Sequence, residues 1–280
     1  MANVRPLSPS RARQFLDCEL LFRYRSIDGL PEPPSAPAVK GNLVHLVLEK
    51  MFDLEPSHRT LDNILNSIDS ALLELINDNE GFAPAIDSKL KWEPNRKYGI
   101  DEISDEAKSR FIAEAKDLVQ RYFNLETPGS LQPTHREHAL STTTNDGTAI
   151  HGIIDRIEIN DAGLVRISDY KTGKSPRPQY VSKSWFQLLF YAFLVEREMG
   201  TLPSQLQLLY LGDGQRLLYY PSQEDLRSIE TQIDDIAQRI SRATELKVFE
   251  PRVSKLCDFC HHQQHCPAKG GKLLEFPTER

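Results

Sequence analysis

The pattern of hydrophobic and polar positions predicts a chain in which helices surround a small number of strands. Apolar residues recur at helical spacing in several long segments, and shorter β-branched runs between them indicate strands. A proline-rich stretch at Pro31–Pro37 is predicted to be extended rather than helical. The predicted helices cover approximately residues 8–24, 38–54, 61–79, 104–123, 182–199 and 222–246. The predicted strands lie at 135–143, within 148–173 on either side of Asn160–Gly163, and at 205–211 and 215–220.

The two central strands form a predicted β-hairpin around the loop Asp161–Gly163, where glycine supplies the left-handed backbone that such loops need. The predicted register pairs Ile159 with Val165, Ile157 with Ile167, and Asp155 with Asp169. Alternation of side chains places Lys171 on the same side as Asp169. Two facing carboxylates repel each other, and a divalent cation between them would remove the conflict. A solvated hairpin end is the alternative, but both charges terminate the face that the isoleucines mark as buried.

Length and composition indicate one globular domain. A chain of 280 residues can bury one large core, and its 39% hydrophobic and 26% charged residues are typical of globular proteins. No linker divides the sequence, so residues 1–280 are interpreted as a single domain. The formal net charge of -6 argues against a protein that is basic over its whole surface. It does not exclude a protein that binds a polyanion, because a local basic rim matters more than the total charge.

Localisation is predicted to be cytoplasmic. No signal peptide opens the chain, and the apolar run Ser184–Val195 is too short to span a bilayer. Four unevenly placed cysteines suggest a reducing compartment and a metal site rather than a disulfide framework.

Three motifs carry a resemblance to a known family. They are G-I-I-D-R at Gly152–Arg156, D-Y-K-T-G at Asp169–Gly173 and Q-L-L-F-Y-A from Gln187. In this order and spacing they resemble the PD-(D/E)xK nucleases of the RecB-like type. The resemblance implies an α/β fold with a restriction-endonuclease-like core, in which helices flank a mixed central β-sheet. It also implies a Mg²⁺- or Mn²⁺-dependent deoxyribonuclease, expected to be an exonuclease, in DNA repair, recombination or processing.

The same resemblance implies roles for individual residues. The metal ligands would be His45, Asp155, Asp169 and the carbonyl of Tyr170. Lys171 would orient the attacking water or stabilise the charge that develops on the phosphorane. Gln187 and Tyr191, one turn apart on a helix, would contact the metal site or the DNA.

At two residues, a role in the metal site competes with a simpler explanation. His45 lies in Gly41–Glu49, which matches the family's G-x-x-x-H-x-x-L-E helix, but a lone histidine beside an apolar helix face is more often a core residue. Glu49, one turn on, is expected to orient the helix. Related nucleases sometimes place an additional acid on the strand that contains Glu137. The favoured interpretation of Glu137 from sequence is an exposed strand residue.

The cysteines indicate a second metal site. Cys257, Cys260 and Cys266 lie in one short segment, and Cys18 brings the number of thiols to the four that a [4Fe–4S] cluster needs. Zinc is the alternative, because four thiolates, or three with His265, satisfy its tetrahedral preference. The spacing resembles the iron–sulfur nucleases of the AddB and CRISPR-associated RecB-like groups. That resemblance favours iron and sulfur, and implies a cluster that joins residues 1–30 to residues 250–268.

DNA is the expected partner, as a single strand or with free ends. The loop after the hairpin is predicted to contact phosphates through Lys174, Arg177 and Lys183. A second basic segment within Gly81–Asp101 interleaves cations with Trp92 and Tyr98. This segment fits either base stacking with phosphate contacts or a surface loop pinned by its aromatics.

Two alternatives to a self-contained nuclease remain. One is a non-catalytic DNA-binding or scaffold protein, which would have no use for the charge arrangement of Asp155, Asp169 and Lys171. The other is a nuclease subunit that works beside a helicase or repair partner, or in a CRISPR adaptation complex. The chain has no Walker-type G-x-x-x-x-G-K-[ST] motif, so ATP-driven unwinding would come from a partner.

Overall fold

A computed structural model gives the fold; it describes residues 5–177, 179 and 181–277, with Lys183 lacking a described side chain. The helices are α1 (Pro9–Asp17), α2 (Glu19–Phe22), α3 (Ala36–Met51), α4 (Leu61–Asp78), α5 (Ala83–Ile86), α6 (Asp105–Leu125), α7 (Val181–Met199) and α8 (Gln223–Leu246). The strands are β1 (His135–Thr143), β2 (Ala149–Ile159), β3 (Val165–Lys171), β4 (Gln205–Tyr210) and β5 (Gln215–Tyr219). Within the described part of the chain, no helix is long and apolar enough to cross a membrane.

The strands form a single mixed sheet in the order β1-β2-β3-β4-β5. β1, β2 and β3 are antiparallel neighbours, β3 and β4 are parallel, and β5 returns antiparallel to β4. The parallel pair is joined by α7, because parallel strands need a long crossover that packs back on the sheet. The predicted α/β class with a mixed central sheet is confirmed.

Helices cover both faces of the sheet. On one face, α1, α7 and α8 pack with inward residues of the sheet such as Ile157, Ile167 and Leu208. On the other face, α3, α4 and α6 pack with Tyr170 and Leu209. The central strands are therefore buried on both sides, which explains why β3 reads as a nearly continuous buried run.

Most predicted elements agree with the structure to within about three residues, but the first helix does not. It is predicted as continuous to about Tyr24, whereas α1 ends at Asp17 and the backbone of Cys18 is extended (φ -166°, ψ 113°) before α2 begins. A further irregular turn follows α2 at Arg23–Ile27. Pro37 also lies in the first turn of α3 rather than in the preceding loop. Proline is tolerated there because an N–H group at this position would have no partner within the helix.

The central hairpin has the predicted register over most of its length. Ile159 pairs with Val165 and Ile157 with Ile167, and Gly163 has the expected positive φ of 75°. The ladder ends at the pair Arg156–Ser168, one residue before Asp155 and Asp169. At this row the backbones no longer exchange hydrogen bonds, and the side chain of Asp155 becomes the link between the strands.

The alternation of β2 also shifts near this row. Gly152 faces α7, since a Cβ atom there would lie 2.8 Å from side-chain atoms of Leu194 and Tyr191. Arg156, four residues later, points to the opposite face, where it contacts Tyr122 of α6. In a regular strand Gly152 and Arg156 would lie on the same face, because side chains alternate and the two are four residues apart. The shift thus sets Asp155 at a distorted point of the strand.

A buried carboxylate ties the β1–β2 hairpin to α8. Asp234 Oδ1 accepts hydrogen bonds from the hydroxyl groups of Thr144 (2.6 Å) and Thr148 (2.5 Å), which flank the hairpin turn. Thr144 and Asp234 are both buried. Removing the shared acceptor would leave two hydroxyl donors without a partner in a dry environment.

We expect Asp234→Ala to lower the free energy of unfolding by about 1–3 kcal/mol in urea titrations. The adjacent Asp235→Ala is the control, because Asp235 is exposed on the same helix and carries the same change in helix propensity. That control is expected within about 0.5 kcal/mol of the wild type. Equal effects of the two substitutions would show that Asp234 does not anchor the hairpin.

Candidate metal and catalytic centre

Three carboxylates occupy one row of the sheet, each from a different strand. The pairing of β1 with β2 places Glu137 opposite Asp155, and the register of β2 with β3 places Asp155 opposite Asp169. In both cases the row interrupts the regular ladder. Like charges at opposed positions destabilise a sheet. The sequence thus concentrates negative charge where strand pairing is weakest.

Glu137 is held in an unusual backbone conformation. Its φ is 41°, in the left-handed region that residues other than glycine rarely adopt. Such conformations persist only where surrounding structure enforces them, and they cluster at functional sites. Glu137 is partly buried and its Oε1 lies 3.8 Å from His45 Nδ1. The favoured expectation of an exposed strand glutamate is therefore wrong.

His45 reaches the same row from α3. Its Nδ1 lies 3.5 Å from Asp155 Oδ2, and its Nε2 lies 3.1 Å from the carbonyl oxygen of Tyr170. A neutral imidazole that donates from Nε2 to this carbonyl would present the Nδ1 lone pair to the acids. The backbone carbonyl thus fixes the orientation of the ring.

The row has a strongly negative potential. Burial lowers the pKa of His45, but Asp155, Glu137 and Asp169 act in the opposite direction and raise it to about 9. Burial and the neighbouring Asp169 raise the pKa of Asp155 above its usual range. Both shifts have one cause, which is an excess of negative charge in a poorly solvated place.

Lys171 is fixed beside Asp169, as the hairpin register predicts. Its Nζ lies 2.5 Å from Asp169 Oδ2 and donates to Gln187 Oε1 at 2.8 Å. Burial lowers the pKa of Lys171, but Asp169 and Asp155 raise it more, so the side chain stays charged. A lysine in this state donates hydrogen bonds and does not accept protons.

Gln187 and Tyr191 of α7 complete this side of the centre. The amide nitrogen of Gln187 donates to Asp169 Oδ1 at 3.0 Å and also lies 2.9 Å from the hydroxyl group of Tyr191. Tyr191 fits because Gly152 leaves room for its ring against β2. Burial is the main cause of a raised Tyr191 pKa, so its hydroxyl group stays protonated. The structure thus brings both predicted α7 residues to Asp169.

Tyr170 links this centre to the opposite face of the sheet. Its backbone N–H donates to Asp155 Oδ2 at 2.7 Å, and its hydroxyl group accepts from Arg156 Nη1 at 2.8 Å. Arg156 is fully buried and pairs with both oxygens of Glu126, at 2.7 and 2.8 Å. The side chain and backbone of Tyr170 are therefore held from opposite sides. Sequence analysis overlooked Arg156 and Glu126, although arginine in the G-I-I-D-R motif was the available signal.

The donor set fits a hard divalent cation. Among the described residues, His45, Glu137 and Asp155 are the group whose ligand atoms all lie within 4.8 Å of one another. Asp169 is the next acid in the row, and its buried Oδ2 has an ion-pair partner but no hydrogen-bond donor in good geometry. Carboxylate oxygens with one imidazole suit Mg²⁺ or Mn²⁺. A cation would also neutralise the charge that raises the pKa of His45.

The four cysteines lie around a separate cavity near both chain ends. Cys18, Cys257, Cys260 and Cys266 all line it, and none forms a disulfide. The backbone N–H of Arg252 contacts Cys18 Sγ at 3.4 Å, and the hydroxyl group of Tyr24 donates to the carbonyl of His265 at 2.5 Å. In the described chain, no three cysteine sulfurs lie within 4.8 Å of one another. The segments around Cys18 and Cys257–Cys266 thus meet at this cavity, and among the described residues their sulfurs are not gathered into a formed metal site.

The structure describes two of the three side chains predicted to contact DNA after β3. Lys174 and Arg177 are exposed on the loop that follows β3, whereas the side chain of Lys183 lies outside the described residues. In the Gly81–Asp101 segment, Tyr98 is buried, its hydroxyl group donates to the Lys91 carbonyl, and Arg96 covers its ring. This arrangement favours the pinned surface loop over a stacking platform.

Comparison with protein families identifies the chain. The model of the PD-(D/E)XK nuclease superfamily matches residues 6–267, nearly the whole sequence. The chain belongs to this superfamily. Among curated proteins, no sequence matches this superfamily member.

One solved structure supports the same fold. A crystal structure of a candidate exonuclease from Eubacterium rectale superposes on this superfamily member with a TM-score of 0.60. The two are 13% identical, and the match covers 99% of this chain and 92% of that one. The crystal structure of SSO0001 is 21% identical over 61% of this chain and 75% of that one, with a TM-score of 0.37. The first likeness shows a shared fold.

Glu137→Gln is expected to weaken Mn²⁺ binding about 10- to 100-fold in calorimetric titrations, because it removes one charge from the row. Glu49→Gln is the matched control, since Glu49 lines the same cleft but lies outside the group formed by His45, Glu137 and Asp155. The control is expected to bind within about threefold of the wild type. A Glu137→Gln protein with unchanged affinity would exclude Glu137 from the site.

Proposed function

We propose that the protein is a Mg²⁺- or Mn²⁺-dependent deoxyribonuclease that hydrolyses phosphodiester bonds, acting as an exonuclease in DNA repair, recombination or processing. The observation that carries the proposal is the row Glu137–Asp155–Asp169 with Lys171 paired to its last acid. Superfamily membership supports nuclease chemistry. The fold likeness to a candidate exonuclease is in keeping with it.

The proposed metal ligands are His45, Asp155, Asp169 and the carbonyl of Tyr170, to which the geometry adds Glu137. In this structure the Tyr170 carbonyl accepts from His45 Nε2, on the opposite side of the ring from Nδ1, so this carbonyl would reach the same cation only if the imidazole gave up that hydrogen bond. A bound divalent cation would polarise the scissile phosphate and lower the pKa of a water molecule. The protein's contribution is to hold these oxygens in place while they repel each other.

Lys171 is proposed to stabilise the charge that develops on the phosphate oxygens. Its charged ammonium group is aimed by Asp169 and Gln187, so it needs little reorganisation when a phosphodiester is in place. The same ammonium group would orient the attacking water by donating a hydrogen bond to it. Tyr191, through Gln187, keeps this set aligned. Hydrolysis then adds one water across the bond and yields a phosphomonoester and a hydroxyl end.

Cleavage of end-labelled single- and double-stranded DNA is expected with Mg²⁺ or Mn²⁺ and to stop in EDTA. Asp155→Ala, Asp169→Ala and Lys171→Ala are each expected to lose roughly 10²-fold or more in rate while staying folded. Asp161→Ala is the control, an exposed acid in the tip of the same hairpin. Folded variants that keep near-normal cleavage at all three positions would overturn the assignment.

A [4Fe–4S] cluster bound by Cys18, Cys257, Cys260 and Cys266 is the second part of the proposal. Support comes from the single cavity that the four thiols line, which brings the four thiols that a cluster needs near one another. The cluster would join the break between α1 and α2 to the C-terminal segment. Its role is structural, because it would close a loop of nearly the whole chain.

Anaerobically purified protein is expected to be brown and to contain iron and sulfide. Cys18→Ser should lower the melting temperature by several degrees, since the loop is no longer closed. The control is the same comparison on metal-stripped protein, where wild type and variant should melt together. Stoichiometric zinc without iron would exclude the cluster. A Cys18→Ser protein with full metal content and an unchanged melting temperature would exclude a stabilising link through Cys18.

Lys174, Arg177 and Lys183 are proposed to contact the phosphate backbone. They follow the Asp169–Lys171 element directly in the chain, and two of them are exposed. Contacts of this kind position DNA without selecting its sequence.

A further inference from the structure

Two consecutive side chains of β1 point to the same helix. The Nη1 atom of Arg136 contacts α3 at the carbonyl oxygen of Glu49. The carboxylate of the next residue, Glu137, faces His45 on the same helix. In a regular strand consecutive side chains point to opposite faces. The positive φ of Glu137, 41°, is the departure from regular geometry that turns both side chains to one side.

Two imidazole rings of β1 give independent evidence for this departure. The rings of His135 and His138 stack with a centroid distance of 4.2 Å and an interplanar angle of 21°. Residues three apart in a regular strand lie on opposite faces, so their rings could not stack. One register nevertheless relates the pairs of β1 with β2 before and after Glu137. The change is therefore a local rotation of the backbone at Glu137 without an inserted residue.

Arg136 joins this part of β1 to the end of α3. Its Nη1 atom donates to the Glu49 carbonyl oxygen at 2.8 Å and lies 2.8 Å from Asp53 Oδ1. Carbonyl groups in the last turn of a helix carry partial negative charge, so a guanidinium group is well matched to this position. The side chain of Asp53 is 62% exposed, whereas that of Arg136 is 29% exposed. The exposed ion pair therefore contributes little, and the contact with the carbonyl is the stronger link.

The same contact connects the two backbones that present His45 and Glu137. Glu49 follows His45 by one helical turn, and Arg136 directly precedes Glu137 in β1. With Arg136 held on the α3 side, regular alternation would turn the carboxylate of Glu137 to the other face. The left-handed conformation instead leaves Glu137 Oε1 3.8 Å from His45 Nδ1.

Two effects favour the release of Glu137 from this position. A residue other than glycine is strained at positive φ, and the charge of the opposed Asp155 repels the carboxylate. Before a cation binds, the carboxylate stays in place only if another contact opposes these effects. The contact made by Arg136 is charge-assisted and lies at the adjacent residue, so it is suited to this role.

We infer that Arg136 is a positioning residue for the metal centre. Its contact with α3 holds Glu137 in the left-handed conformation, with the carboxylate beside His45, before a cation binds. Arg136 acts through Glu137 and is not itself a ligand. This inference rests on the proposed function, because it explains how one ligand of the proposed metal is kept in position.

The first test compares the melting temperatures of variants in EDTA. Glu137→Gly and Glu137→Ala both remove the carboxylate, but only glycine adopts a positive φ without strain. With Arg136 in place, Glu137→Gly is expected to melt about 2 °C or more above Glu137→Ala. In the Arg136→Met background this difference should vanish, because methionine keeps an aliphatic stem and lacks the hydrogen-bond donors. Equal melting of the two Glu137 variants beside Arg136 would overturn the inference, as would a difference that persists in Arg136→Met.

The second test measures Mn²⁺ affinity by calorimetric titration. Arg136→Met is expected to weaken Mn²⁺ binding about tenfold, a loss typical of removing a residue that orients a metal ligand. In Glu137→Gln protein the same substitution should change the affinity by less than about twofold, because the charged ligand through which it acts is gone. Asp53→Ala is the control, since it removes the exposed ion pair and leaves the carbonyl contact. This control is expected to bind Mn²⁺ within about twofold of the wild type.

The results separate the inference from the proposed function. Independent losses from Arg136→Met and Glu137→Gln, or an equal loss in Asp53→Ala, would overturn the positioning role. If the wild type binds Mn²⁺ and Arg136→Met binds it equally well, the metal centre stands and the inference fails. If the wild type binds no Mn²⁺, the proposed function fails, and the melting comparison in EDTA still decides whether Arg136 holds Glu137.

Discussion

Repulsion among Glu137, Asp155 and Asp169 is the constraint on which the rest of this structure depends. Three acids from neighbouring strands share one row, and both ladders are interrupted there. A fold would gain nothing from this arrangement without a positive charge between the acids. The pKa of His45, raised to about 9, shows how strongly the row attracts a cation. A cation bound in this row would balance its charge, which is why a metal centre is proposed there.

Hydrogen-bond donors and a charged lysine hold two of these acids in place. Asp155 accepts the Tyr170 amide, and Asp169 is held by Lys171 and Gln187. Behind the sheet, Arg156 and Glu126 fix the ring of Tyr170, so that its backbone cannot move away from the acids. Buried charge pairs of this kind add little net stability but leave one arrangement much better satisfied than others, which suits a centre that must be pre-formed.

Sequence analysis predicted the class of fold, the hairpin register and the pairing of Lys171 with Asp169, because these follow from local alternation and loop chemistry. Other features depend on tertiary structure and could not be obtained that way. The positive φ of Glu137 and the shift of side-chain alternation in β2 arise where strands meet. Neither can be recognised from the hydrophobic periodicity of the sequence. The break at Cys18 is similar, since the flanking residues have good helical spacing.

One divalent cation is expected to bind among His45, Glu137, Asp155 and Asp169. The most direct measurement is anomalous diffraction from crystals soaked in Mn²⁺, with data collected near the manganese absorption edge. The account predicts an anomalous peak bounded by the carboxylates of this row and by His45 Nδ1. A well-occupied peak elsewhere, with this row showing none at saturating Mn²⁺, would contradict it.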